Sequence, residues 1–325
     1  MRAAPLETSS QSPSPLLVIA GATGSGKSSL ALSLAQRFDG EILSCDSVAV
    51  YREFEIGSAK PSREERALVP HHLIDVVAPD AFFTAGDYAR SARVAAAEIT
   101  SRGHLPIVCG GTGLYLRAML DGLFAAPQRD EELRQRLRRR RRPASLWRLL
   151  RRLDPASALR IHPNDEPKLI RAIEVCADAE PMSRLLQNGR DPIQGYRILR
   201  LGLNPPRAAL YERINKRCAR MFELGLIEET RLLLARYGAD PFALRSLGYR
   251  QAASYLRGES SFAQTIASAQ QGHRNYAKRQ LTWFRKDWFR QDSDAHWLED
   301  FGDAEETSAR ACELVRAFLG RGSAL

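Results

Sequence analysis

Eight residues near the start of the chain carry the plainest chemistry. Gly21-Ala22-Thr23-Gly24-Ser25-Gly26-Lys27-Ser28 fits G-x-x-x-x-G-K-[ST], a spacing that lets successive backbone N–H groups converge on phosphate oxygens. Lys27 would bridge phosphates, the Ser28 hydroxyl is a ligand for Mg²⁺, and the following helix N-terminus adds partial positive charge. The expected ligand carries a diphosphate; the loop alone leaves open a nucleoside triphosphate, a kinase substrate pair or another pyrophosphate ester. Asp46 is the second candidate. As a general base it needs to face the same crevice, which the carboxyl end of a neighbouring parallel strand would provide. Asp46-Ser47 as a helix cap explains the same residues equally well. A motor or switch ATPase places a metal-linked Asp at another strand end, whereas Leu105 to Cys109 runs into Gly110-Gly111-Thr112-Gly113. Leu73-Ile74-Asp75 offers a substitute acid, in a pattern too common to decide.

The elements that must position these residues follow from periodicity. Leu16 to Ala20 reads as a buried strand and Lys27 to Phe38 as a helix; Glu41 to Cys45, Leu105 to Cys109 and Arg197 to Leu203 read as further strands. Strands alternating with helices predict a parallel α/β sheet. Between Asp121 and Gly195 the pattern turns helical and Arg-rich, with Leu133, Leu137, Leu146, Leu149, Leu150 and Leu153 at helical spacing. The expected organisation is a disordered Ser/Pro-rich leader over 1–15, a discontinuous core of 16–120 and 196–325, and an inserted helical subdomain over 121–195. The segment around Glu305 is uninformative.

Composition narrows the function classes. The chain has 325 residues, 44% of them hydrophobic and 26% charged, which is ordinary for a folded soluble domain. No long apolar run or apolar leader predicts a membrane span or secretory signal. The five cysteines lack a C-x-x-C pair, so neither a disulfide framework nor a zinc knuckle is expected and the compartment predicted is the reducing cytosol. The net charge of +10 suits a polyanionic partner, yet 42 of the 48 basic residues are Arg, so coding bias explains part of it and position must decide.

Five further motifs occur in order: Asp46-Ser47-x-x-Val50-Tyr51-Arg52, Ile56-Gly57-Ser58-Ala59-Lys60-Pro61, His71-His72-Leu73-Ile74-Asp75, Gly110-Gly111-Thr112-Gly113-Leu114-Tyr115-Leu116, and Ala277-Lys278-Arg279-Gln280-Leu281-Thr282-Trp283-Phe284-Arg285. With His162-Pro163-Asn164-Asp165 and Arg171-Ala172-Ile173-Glu174-Val175, this set resembles the tRNA dimethylallyltransferase family over roughly Leu16 to Asp287. The resemblance implies a P-loop NTPase-like core with a parallel sheet flanked by helices, plus the inserted helical tRNA-binding subdomain. It implies transfer of a dimethylallyl group from dimethylallyl diphosphate to N6 of adenosine 37, in tRNAs reading codons beginning with U. The loop would then hold a prenyl diphosphate rather than primarily ATP, with Lys27, Ser28 and Mg²⁺ stabilising the departing pyrophosphate. Asp46 matches the family's base, Thr112 lies near the target nucleotide, and Arg217 matches an arginine near the diphosphate.

Contacts to the tRNA anticodon stem-loop carry over to Asp46, Ser47, Val48 and Ala49; to Pro167, Lys168, Leu169, Ile170 and Arg171; and to Arg245, Ser246, Leu247, Gly248, Tyr249 and Arg250. The last set is His273, Arg274, Asn275, Tyr276, Ala277, Lys278, Arg279 and Gln280, where Arg274, Lys278 and Arg279 suit phosphates. Trp283 and Phe284 are expected to be core, while Trp288, Phe289 and Arg290 extend the mixed basic and aromatic stretch. The run Arg134 to Arg142, seven Arg in nine residues, is a candidate grip on the stem backbone, with a solvated helix face as its alternative. Ala49, His273 and Asn275 stand where the family usually has Gln, Thr and Gln. A P-loop kinase, a relative that prenylates free adenine nucleotides, and a non-enzymatic RNA-binding protein are the rivals; a monomer is the expected state.

Overall fold

The computed structural model describes residues 13–140, 142–178, 180–238, 241–287 and 294–321. Six strands, β1 (Ser14–Gly21), β2 (Gly40–Cys45), β3 (His71–His72), β4 (Leu105–Gly110), β5 (Tyr196–Leu203) and β6 (Ala295–Leu298), form one sheet in the order β3-β2-β4-β1-β5-β6. Every pairing is parallel. Leu16 to Ala20 is at most 1% exposed, as a central strand covered on both faces requires. β4 enters the sheet between β1 and β2, with Gly110 level with Ala20 on one side and Cys45 on the other. The three loops leaving these carboxyl ends are therefore neighbours, which is where parallel sheets bind ligands.

Two compact units divide the chain, one comprising Met1–Met119 with Gln194–Leu325 and the other Leu120–Ile193. In the larger unit, Leu30 and Leu34 of the helix Lys27–Arg37 pack on Leu17, Ile19 and Ile107 of the sheet. The same core takes Ala311, Cys312, Val315 and Phe318 from the helix Glu305–Gly320, a segment whose sequence gave no signal. The strand expected to start at Leu16 starts at Ser14, because Ser14 and Pro15 pair with Tyr196 and Arg197. The expected leader thus loses its last residues to β1, and 1–12 lies outside the described residues.

The smaller unit is built from the helices Glu131–Arg140, Pro143–Leu153, Pro155–Arg160, Glu166–Asp178 and Met182–Leu185. Leu137, Leu146, Leu150, Leu169, Ile170 and Ile173 form its core, with Leu133 and Leu149 packed against it. Leu153 is 41% exposed, so the predicted apolar stripe ends one turn early. Among the described residues no helix is long and apolar enough to cross a membrane.

Candidate active site

The phosphate loop follows β1, and its backbone needs glycine where the chain turns left-handed: Gly26 has φ 86° and a Cβ there would sit 2.6 Å from an Asp303 oxygen. The Gly302 N–H donates to the Ser25 carbonyl at 2.9 Å, so the turn before the last helix braces the loop. Lys27 Nζ donates to the Ala22 carbonyl at 2.6 Å. Burial lowers the Lys27 pKa to about 8, with the nearby Arg217 charge acting in the same direction and Asp46 opposing it.

Asp46 leaves β2 beside this loop. Its Oδ1 accepts from the N–H groups of Val48 (2.8 Å) and Ala49 (3.2 Å), while Oδ2 makes no hydrogen bond among the described residues. One oxygen holds the turn and the other is available to take a proton, so the cap and the base are compatible in one side chain. Thr112 braces that turn: its Oγ1 accepts from the Ser47 N–H at 3.2 Å and its N–H donates to the Cys45 carbonyl at 3.3 Å. The Thr112 side chain also meets the hydroxyl of Tyr276, a residue that borders both cavities at Asp46.

The first cavity, about 250 Å³, is bordered by Thr23, Gly24, Gly26, Lys27, Ser28 and Asp46, with Arg213 and Arg217 on its wall. The second, about 360 Å³, is bordered by Asp46, Ser47, Val48, Phe242, Arg245, Arg250, His273 and Arg279. Thr23, Asp46, Ser58, Arg217 and Tyr276 border both, so the two spaces meet at the carboxylate. Arg217 makes no ion pair among the described residues, and burial pulls its pKa below the ordinary arginine value. It remains a cation on the wall that the two cavities share. Arg213 is tied to Asp303 by two bonds of 2.8 and 2.7 Å.

Residues expected at RNA fall into two sets. Ser47, Val48, Arg245, Ser246, Leu247, Arg250, His273, Tyr276 and Arg279 border the second cavity, and Ala49 borders the first. His273 is 8% exposed with Nε2 unpartnered, and burial lowers its pKa to about 4, so its ring is neutral. Gly248 and Tyr249 lie beneath that wall, the Tyr249 hydroxyl serving Glu229 and the Gly57 N–H. Ala277 is buried against Ala22 and Leu281, and Arg274 is turned to Asn215 and Gln271. Asn275 and Lys278 are exposed, Asn275 accepting from Gln271. Gln280 is 7% exposed: its Oε1 accepts from Thr23 N–H at 2.8 Å and its Nε2 donates to the Gly111 carbonyl at 2.9 Å. It ties the phosphate loop to the β4 turn.

In the smaller unit, Arg134 is a correction to the picture of a free basic run. Its side chain is 13% exposed, and its guanidinium forms bonds of 2.7 and 2.8 Å to the buried Glu174, which also takes Arg171 and the Asp130 N–H. Leu169 and Ile170 are core side chains, because the apolar face of the helix Glu166–Asp178 must be covered. Pro167 and Lys168 are exposed, with Lys168 paired to Asp165 at 2.6 Å. Arg141 and residues 288–290 lie outside the described residues.

Asp75 is not a spare metal acid, since Lys60 (2.6 Å) and Arg66 (2.9 Å) occupy its carboxylate. Phe284 is fully buried as expected and Trp283 is half-buried beneath the Arg117 guanidinium. Sequence reasoning missed Arg213 and Phe242. The i, i+4 spacing from Arg217 placed Arg213 on the same helix face and was a usable signal; Phe242 had none.

A parallel sheet whose central strand runs through G-x-x-x-x-G-K-S into a helix defines the P-loop NTPase-like class. Comparison with known proteins narrows it. The IPP transferase family, IPPT, matches over residues 49–287. A tRNA dimethylallyltransferase of Koribacter versatilis is 58% identical over 93% of this chain and 98% of its own. The crystal structure of the full-length tRNA isopentenylpyrophosphate transferase from Bacillus halodurans is similar with a TM-score of 0.70 and 34% identity, covering 95% of this chain and 98% of that one. A eukaryotic dimethylallyltransferase, described from crystallographic snapshots of it acting on tRNA, gives a TM-score of 0.82 at 26% identity, covering 95% and 80%. The chain belongs to the IPP transferase family.

Proposed function

We propose that the chain transfers a dimethylallyl group from dimethylallyl diphosphate to N6 of adenosine 37 in tRNAs reading codons beginning with U. The observation that carries this is the meeting of two cavities at Asp46, one walled by the phosphate loop, the other by Arg245, Arg250 and Arg279. The diphosphate lies in the first, where Lys27, Arg217 and the loop N–H groups offset the charge that builds on it as it leaves. The target base enters the second from an unstacked anticodon loop. An adenine exocyclic amine is delocalised into its ring, so its lone pair becomes available as Asp46 Oδ2 takes the proton. The new bond joins N6 to the prenyl carbon, the carbon–oxygen bond to diphosphate breaks, and diphosphate departs.

Among the described residues no cluster of three His, Cys, Asp or Glu side chains is arranged to hold a metal. The donors present, one Ser28 hydroxyl beside a diphosphate cradle, fit Mg²⁺ that is held largely by phosphate oxygens and water. Bound there, Mg²⁺ supplies charge neutralisation to the leaving group. Arg245, Arg250, Arg279 and Lys278 are exposed cations of the larger unit suited to RNA phosphates, as Lys168 and Arg138 are in the smaller. One copy of the chain contains every residue the reaction uses, which suits a monomer, and its substrate suits the cytoplasm.

The test is a transfer assay with Mg²⁺, dimethylallyl diphosphate and an unmodified anticodon stem-loop carrying A36-A37-A38, followed by nucleoside mass analysis. The prenyl mass on A37 is expected. Asp46→Asn should lower kcat by roughly 10²- to 10⁴-fold with diphosphate affinity little changed. Product with AMP but not RNA would move the acceptor to a free nucleotide. ATP-dependent phosphoryl transfer without prenyl transfer would replace the assignment by a kinase.

A further inference from the structure

The second cavity has a feature that neither the phosphate chemistry nor the proton transfer uses. Phe242 opens the short 3₁₀ turn Phe242–Arg245, which is anchored from below by buried Pro241, Ala243 and Leu244. The anchoring leaves Phe242 54% exposed on the cavity wall. Phe262, also exposed, meets Phe222 and Tyr255 edge-on, whereas Phe242 has no aromatic neighbour among the described residues. It is the one exposed large apolar side chain, among the described residues, on the wall of either cavity at Asp46. Arg245, Arg250 and Arg279 border the same space, which joins a π-face to cations.

An isolated exposed apolar residue normally needs no explanation. Here position supplies one. Extruding one nucleotide from a stacked loop leaves the flanking bases each with a bare face, and an aromatic ring backed by cations covers such a face. We infer that Phe242 is the stacking platform for a nucleobase adjacent to the target adenosine, and so a determinant of which loop sequences the enzyme accepts. This rests on the RNA acceptor proposed above. Purines, with the larger π-surface, are favoured at that position.

Phe242→Leu keeps apolar bulk and removes the ring; Phe242→Tyr keeps the ring. With the stem-loop as acceptor, Phe242→Leu should raise the RNA KM roughly tenfold, leaving kcat and the KM for dimethylallyl diphosphate within about twofold of the parent. Phe242→Tyr should restore the parent KM. Stem-loops carrying 2-aminopurine on either side of the target should show fluorescence quenching at one position, retained with Phe242→Tyr and lost with Phe242→Leu. An active parent whose RNA KM and quenching are the same in Phe242→Leu would overturn the platform. A parent that transfers nothing to RNA would instead overturn the acceptor assignment, and the platform with it.

Discussion

Truncating Gln280 to Ala separates two roles that one residue could have, a contact to RNA or a tie within the phosphate site. The carboxamide is buried, and both ends are committed to backbone groups 2.8 and 2.9 Å away, Thr23 N–H and Gly111 C=O. Gly111 is a glycine for this reason, since a Cβ there would lie 2.2 Å from Gln280 Nε2. Removing the side chain strands the Gly111 carbonyl fully, at about 1–3 kcal/mol, and the half-buried Thr23 N–H at about 1 kcal/mol. The expected loss is roughly 2–4 kcal/mol, reduced if a water enters the space. Urea unfolding reads this term, and isothermal titration with dimethylallyl diphosphate reads the slackened loop as weaker binding. Gln280→Glu adds a second contrast, because a carboxylate still accepts from Thr23 but faces the Gly111 carbonyl without a proton and sets negative charge beside the anion site. It should bind the diphosphate more weakly than Gln280→Ala. Stability within about 0.5 kcal/mol of the parent, unchanged diphosphate binding and a raised RNA KM would refute the tie and restore Gln280 as an RNA contact.

Three further expectations concern charge. Diphosphate affinity of the free protein should fall as pH rises through about 8, where buried Lys27 loses its proton, and Lys27→Met should flatten that limb; titration across pH 7 to 9 with no such limb would contradict the assignment. Glu174, held by Arg134 and Arg171, has its pKa lowered to about 2 from 4.5, with these hydrogen bonds outweighing burial, which opposes the shift. Its folded value lies below its unfolded one, so its stabilisation is complete above about pH 4.5 and is lost as pH falls towards 2. Arg134→Ala should destabilise the helical unit by about 1–3 kcal/mol, because Glu174 loses two bonds from one guanidinium and keeps Arg171 and the Asp130 N–H, measured by hydrogen exchange of the intact chain. Exchange unchanged in that unit, with RNA binding weakened, would make Arg134 a phosphate contact after all.

Much of the chemistry was local in the chain and therefore legible. The phosphate loop is eight consecutive residues between a strand and a helix, and Asp46 follows the second strand directly; each signal needs only nearest neighbours. Family membership was legible for the same reason, since the motifs are short and ordered. Burial was read less well on helices that contribute several faces. The stretch from His273 to Gln280 looked uniform, yet one helix turns His273, Tyr276 and Arg279 to the cavity, Ala277 to the core and Gln280 to the loop.

What the sequence determined alone was the glycine-rich turn between a strand and a helix, the acid that follows the second strand and the alternation that makes a parallel sheet, because backbone geometry and hydrophobic period act over a few residues. Only the tertiary structure decided that β4 lies between β1 and β2, that Gln280 closes the loop from 257 residues away, and that the last helix covers the sheet. It also turned Arg134 inward to Glu174 and left Phe242 on a cavity wall. Spacing along a helix states which residues share a face. Which partner that face meets is set by the free energy of covering every apolar surface and pairing every buried charge at once, and no local window contains that sum.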